Sequence, residues 1–201
     1  MPAHRRIGLF GGAFDPPHLT HVNLAKLAVS QFKLDELLVL PTGTAWHKAR
    51  ALSSAADRLA MAELAFADLA KVRVDGRETQ RSGPSYTMDT LTELQQEQPG
   101  ADWFLILGED QAQALPGWHR IHDLLQCATV CIARRQDSTG TYAGFDPLDW
   151  PQARFLTLQM PPSGQSATQV RAMAHARQDV SPLVGPAVAR YIVDHALYQT
   201  H

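Results

Sequence analysis

Six short strand-like runs alternate with segments of helical periodicity, and this order constrains the fold more than any other feature of the chain. Residues 6–10, 36–40, 71–75, 103–107, 128–133 and 154–159 read as strands. Helices are predicted over 18–32, 53–69, 85–98, 110–115 and 120–126 between them, and over 167–177 and 182–195 at the end. Breakers fall at the junctions: Gly11-Gly12, Pro41, Pro99-Gly100 and Gly108. The strands read as continuous apolar runs, not alternating ones, which suits a parallel sheet covered on both faces. The expectation is an α/β, Rossmann-like, doubly wound fold. It has a mainly parallel sheet of about six strands with helices on both faces, and residues 1–201 form a single domain. Residues 137–151, rich in Gly, Pro, Thr and Asp, read as a surface loop or lid. Ligands of such sheets sit outside the carboxyl ends of the strands.

Composition narrows the function classes. Hydrophobic residues are 45% and charged residues 19% of 201, which describes a globular chain long enough to bury a full core. Lys and Arg total 18 against 20 Asp and Glu, a formal net charge of -2. That balance argues against generic nucleic-acid coating and leaves room for a local site that takes a small anion. No apolar run is long enough to span a bilayer, and the basic start lacks the apolar region of a signal peptide. Cys127 and Cys131 lie in an apolar stretch and read as reduced, buried thiols. A cytoplasmic protein without nucleic-acid or membrane partners is expected, and no oligomer interface is marked.

The densest chemistry follows the first strand, in Gly11-Gly12-Ala13-Phe14-Asp15-Pro16-Pro17-His18-Leu19-Thr20-His21. A glycine turn entering a helix offers backbone N–H groups and a positive dipole end to phosphate. His18 and His21, three apart, share one face of that helix start. Two imidazoles there can donate hydrogen bonds to phosphoryl oxygens or protonate a developing charge. A second helix start repeats the theme at Ser166-Ala167-Thr168-Gln169-Val170-Arg171. Ser166 suits an N-cap, and Thr168 and Arg171 share a face suited to a polyphosphate. Either segment alone is commonly structural, as a turn before a helix or a capped helix with a solvated arginine. Two such helix starts in one α/β chain favour the functional reading.

The first string resembles the G-G-x-F-D-P-x-H-x-G-H signature of the "HIGH"-type nucleotidyltransferases, with Thr20 where the family usually has Gly. The second resembles the family's I-S-[ST]-T-x-[IV]-R, with Gln165 and Ala167 as departures. The resemblance is closest to the bacterial nicotinate-nucleotide adenylyltransferases. Residues 41–48 stand in place of the family's P-x-x-x-P-P-H-[KR] loop, with Ala45 and Trp46 replacing the two prolines. Residues 83–91 resemble its P-S-Y-T-x-x-T-L stretch, residues 107–110 its G-x-D after the fourth strand, and Trp118 its tryptophan.

The resemblance implies adenylyl transfer from ATP, with Mg²⁺, to nicotinic acid mononucleotide. In-line attack by the acceptor phosphate gives deamido-NAD and pyrophosphate without a covalent enzyme intermediate. It implies roles for His18, His21 and Arg171 at the reacting phosphates. ATP is expected against Gly11, Gly12, Ala13, Phe14, Asp15, Gly108, Asp110, Arg135, Ser166 and Thr168. The acceptor is expected against Thr42, His47, Lys48, Tyr86, Thr87 and Trp118, the last stacking on a pyridinium ring. No protein ligand to a metal is expected. His119 and His122 read as exposed helix residues without a role. Open alternatives are the amide acceptor nicotinamide mononucleotide, another adenylyltransferase of the superfamily such as one acting on phosphopantetheine, a non-catalytic nucleotide-binding protein, and an NAD-dependent oxidoreductase. The last lacks its G-x-G-x-x-G fingerprint.

Overall fold

The structure, a computed structural model, describes residues 4–43, 52–135, 146–161 and 164–199. Its frame is a six-stranded sheet formed by β1 (Arg6–Gly12), β2 (Glu36–Pro41), β3 (Val72–Val74), β4 (Asp102–Gly108), β5 (Ala128–Arg135) and β6 (Phe155–Met160). The spatial order is β3-β2-β1-β4-β5-β6 and every pair is parallel. The chain thus runs outward from β1 in one direction, then returns to β4 and runs outward in the other. That reversal is the topological switch point at which doubly wound sheets open a crevice.

The helices are α1 (Leu19–Gln31), α2 (Ala55–Phe66), α3 (Thr87–Glu97), α4 (Glu109–Ala114), α5 (Ile121–Cys127), α6 (Ala167–His175), α7 (Ser181–Val184) and α8 (Pro186–Asp194). Successive strand residues point to opposite faces, so each strand feeds two cores. Leu9, Leu105 and Val130 pack with Leu91 of α3 and Leu124 of α5. Phe10, Val39 and Ile106 pack on the other face with Ala25 and Ala28 of α1 and Phe66 of α2. A third core lies outside the sheet, where Met61 of α2 meets Val170, Val184, Val188 and Ile192.

Two expectations are corrected. The four inner strands are continuous apolar runs, but β3 and β6 alternate in burial because each is an edge strand with one face less covered. The predicted helix over 182–195 is two helices. Gly185 turns at φ +83, a conformation that favours glycine, and Pro186 starts α8 with a ring that cannot continue a preceding helix. Within the segment expected as a loop, Pro147–Asp149 forms a 3-10 turn capped by the Asp146 carboxylate; residues 136–145 lie outside the described residues. Among the described residues no helix is long and apolar enough to cross a membrane.

Candidate active site

The crevice begins where β1 and β4 part. Their ladder ends at Leu9 and Leu105, while β1 stays paired to β2 as far as Gly12 and β4 to β5 as far as Gly108. At both Gly11 and Gly108 a side chain would meet nothing within 4 Å, so the two strand ends border open space. Asp110 is exposed on the first turn of α4, beside that opening.

The chain leaves β1 through Ala13 and Phe14 and reaches His18, the N-cap of α1. Phe14 is a core residue, edge-on to Phe10 and Phe66 at 5.4 and 5.9 Å, so only its backbone is left to face a ligand. His18 and His21 lie ring against ring, with centroids 3.8 Å apart. The Nδ1 atom of His21 accepts the main-chain N–H of His18 at 3.2 Å. The proton of a neutral His21 ring therefore sits on Nε2, which makes Nε2 the donor. His18 is only 7% exposed, and burial pushes its pKa down to about 4. Its ring is neutral at pH 7. Its Nδ1 is the buried side-chain polar atom, among the described residues, that lacks a hydrogen-bond partner. Such an unmet group costs roughly 1–3 kcal/mol, and sites of chemistry are where folds retain one.

The second motif comes to the same place. Ser166 caps α6 by accepting from the Gln169 N–H at 3.2 Å. Arg171 reaches from α6 across to the first motif. Its Nη1 donates to the Asp15 carbonyl at 2.8 Å, and its Nη2 donates to Thr168 Oγ1 at 3.1 Å. Thr20 and Gln165, both departures from the family signatures, are hydrogen-bonded to each other at 3.4 Å. The hydroxyl that replaces the usual glycine therefore helps to join the two motifs.

Asp15 is the residue whose placement differs most from expectation. Its side chain is turned into the protein and is 2% exposed. Oδ1 accepts from the Tyr198 hydroxyl at 2.7 Å and Oδ2 from the Ser53 N–H at 3.3 Å. The carboxylate thus fastens the loop instead of facing the crevice.

On the acceptor side, the described segments after β2 and before α3 lie against one another. Gly43, just past β2, lies so close to the Glu78 backbone that an added side chain would collide with that carbonyl oxygen. Ser85 donates to the same carbonyl at 3.4 Å. Tyr86 is the N-cap of α3 and makes no side-chain cap, so the first-turn N–H groups there are not capped by it. Its ring lies 4.3 Å from that of His119, the neighbour of Trp118. Trp118 is half-buried and ends the 3-10 turn after α4, packing on the first core. His119 is therefore not on a helix, as expected, but in the turn facing α3. His47 and Lys48, and the side chain of Arg135, lie outside the described residues.

Sequence reasoning passed over Arg58. This guanidinium, 1% exposed, donates to the carbonyls of Ser53 at 3.1 Å, Ala13 at 3.0 Å, Thr42 at 2.6 Å and Gly43 at 2.8 Å. It ties the glycine turn after β1 to the turn after β2. A signal was present: Arg58 lies on the stripe of Met61 and Ala62, three and four residues on, where an apolar side chain is the rule.

A family model described as Cytidylyltransferase-like matches residues 9–173. The chain is 56% identical to a probable nicotinate-nucleotide adenylyltransferase of Albidiferax ferrireducens, over 98% of this chain and 99% of that one. It is 42% identical to one from Methylibium petroleiphilum, over 96% and 92% of the two chains. Among solved structures, the Plasmodium falciparum nicotinic acid mononucleotide adenylyltransferase complexed with NaAD has a TM-score of 0.78 at 20% identity, covering 97% of this chain and 98% of that one. This last likeness is one of fold.

Proposed function

Because the chain belongs to the cytidylyltransferase-like family and, within it, to the nicotinate-nucleotide adenylyltransferases, we propose that it transfers the adenylyl group of ATP to nicotinic acid mononucleotide, releasing deamido-NAD and pyrophosphate. The observation that carries this reading is the hydrogen bond from Arg171 to the backbone of Asp15, which joins the two phosphate-type motifs beside the opening between β1 and β4.

In this reading the acceptor 5′-phosphate attacks the α-phosphorus of ATP in line and pyrophosphate departs. No protein nucleophile takes part, so the rate comes from positioning and from charge stabilisation. His21 offers its Nε2–H to the phosphoryl oxygens. His18, neutral in the free protein, gains a proton more readily once a triphosphate lies beside it, because a nearby anion favours the charged ring. Arg171, Thr168 and the start of α6 hold the leaving pyrophosphate, a task for which a planar guanidinium is suited. Gly11 and Gly108 let ATP approach the backbone, and Asp110 receives its ribose hydroxyls. To Arg135 this reading gives the adenine or its phosphates. On the acceptor side, Trp118 stacks on the pyridine ring and the N–H groups at Tyr86 and Thr87 take the carboxylate. Thr42, His47 and Lys48 hold the acceptor phosphate.

Mg²⁺ enters this scheme as part of the substrate, bound to ATP. Among the described residues no group of three or more His, Cys, Asp or Glu is arranged to hold an ion, and the Asp15 carboxylate is committed to Tyr198 and Ser53. Phosphate and water oxygens satisfy the preference of Mg²⁺ without a protein cage.

The test is release of pyrophosphate from ATP and Mg²⁺ with nicotinic acid mononucleotide, beside a parallel reaction with nicotinamide mononucleotide. Release with the acid, and much less with the amide, is expected. Release with neither acceptor sinks the reading, and a preference for the amide reverses the assignment of the acceptor.

A further inference from the structure

The last described turn of the chain reaches the first motif. After α8 the backbone takes left-handed values at Ala196 (φ +49) and Tyr198 (φ +64), and the Leu197 N–H closes the turn on the Ile192 carbonyl at 3.0 Å. A non-glycine residue in that region is strained and persists where surrounding contacts overdetermine it. The contact here is specific. The Tyr198 hydroxyl donates to Asp15 Oδ1 at 2.7 Å, across 183 positions of sequence. Asp15 in turn presents its main-chain carbonyl to Arg171 Nη1 at 2.8 Å. One residue therefore takes the C-terminal tyrosine on its side chain and the phosphate-side arginine on its backbone. Burial and the neighbouring carboxylate push the Tyr198 phenol above its ordinary range, so it remains a donor at working pH.

We propose that Tyr198 is a positioning residue for adenylyl transfer. By anchoring the Asp15 carboxylate it fixes the carbonyl that aims Arg171, so the turn after α8 sets the grip on the leaving pyrophosphate. This rests on the reading that Arg171 holds that group. Tyr198 need not touch substrate, and its contribution passes through Arg171.

The experiment is a double-mutant cycle with Y198F and R171A on the full-length enzyme, reading kcat, KM for each substrate and Tm. Phenylalanine keeps the ring and removes only the hydroxyl. We expect Y198F to lower kcat about tenfold, as loss of a hydrogen bond to a charged group does. KM for nicotinic acid mononucleotide should be unchanged and Tm should fall by only a few degrees. In the R171A background, Y198F should cause no further loss, because residues acting through one another are non-additive. Equal factors in both backgrounds, or wild-type kcat in Y198F, would overturn the proposal. If Y198F does not fold, D15N carries the same cycle, since an amide cannot accept from both Tyr198 and the Ser53 N–H through its two side-chain ends. An inactive wild type would count against the functional reading instead, before any variant is compared.

Discussion

His18 shows how burial and chemistry bear on one side chain. Its folded pKa, about 4, lies below the 6.5 of an ordinary histidine. Between those values the unfolded chain binds the proton that the folded protein refuses. Stability therefore falls as pH drops from about 6.5 toward 4, by up to about 3 kcal/mol, and is flat with respect to this group above 6.5. Chemical denaturation across that range should show the slope in the wild type and a shallower one in His18→Gln. NMR titration should place the His18 transition near pH 4 in the free protein and higher with a bound ATP analogue. In turnover, His18→Ala and His21→Ala should each lose roughly 10² to 10³, the cost of removing one donor to a transition-state charge. Melting temperatures should move little, because the His21 ring accepts from a main-chain N–H three residues away and His18 leaves a polar atom unpaired as it stands. Near wild-type turnover in both variants would remove the role given to the pair.

At the scale of elements, the turn after β2 is held by close approach. Gly43 sits against the Glu78 carbonyl, and Glu78 is itself buried, with its carboxylate accepting from Thr90 Oγ1 at 2.7 Å. Thr90 belongs to α3, whose start is the proposed carboxylate receptor. Gly43→Ala must therefore displace the turn from the segment leading to α3. The expected outcome is a severalfold rise in KM for the mononucleotide with KM for ATP nearly unchanged, read from initial rates with each substrate varied. Equal change in both constants would mean that the turn serves the whole crevice and not its acceptor half. The C-terminal helices are held differently: α7 and α8 attach through the third core and through Tyr191, whose hydroxyl donates to Asp57 at 3.0 Å at the start of α2.

Across the whole molecule, Arg58 is the stitch between the two halves of the crevice. Four backbone carbonyls from three segments depend on it, and Asp15 lies within its field. Arg58→Met keeps much of the side-chain volume and removes every donor. Leaving buried acceptors and a buried carboxylate without this partner should lower stability by roughly 3–5 kcal/mol. Denaturant unfolding should show a lower midpoint with an unchanged slope. A midpoint within error of the wild type would mean that these turns hold their shape without the guanidinium.

The strand and helix order, the parallel sheet and the helix starts at His18 and Ser166 were all legible in the residues, because each depends on local periodicity or on side chains a few positions apart. The edge strands and the break at Gly185 were less so, since exposure depends on which strands end up outermost and a glycine turn competes with an otherwise helical pattern. Ser166 could be read as an N-cap from its place before α6, whereas the inward turn of Asp15 could not be read from its motif. What makes Asp15 a fastener is a tyrosine 183 positions away, and what makes Arg58 a stitch is a set of carbonyls on segments that only the closed sheet brings together. Local chemistry marks which groups a chain carries. The partners those groups bond to are decided when distant backbone segments pack and their polar atoms, removed from water, must find one another.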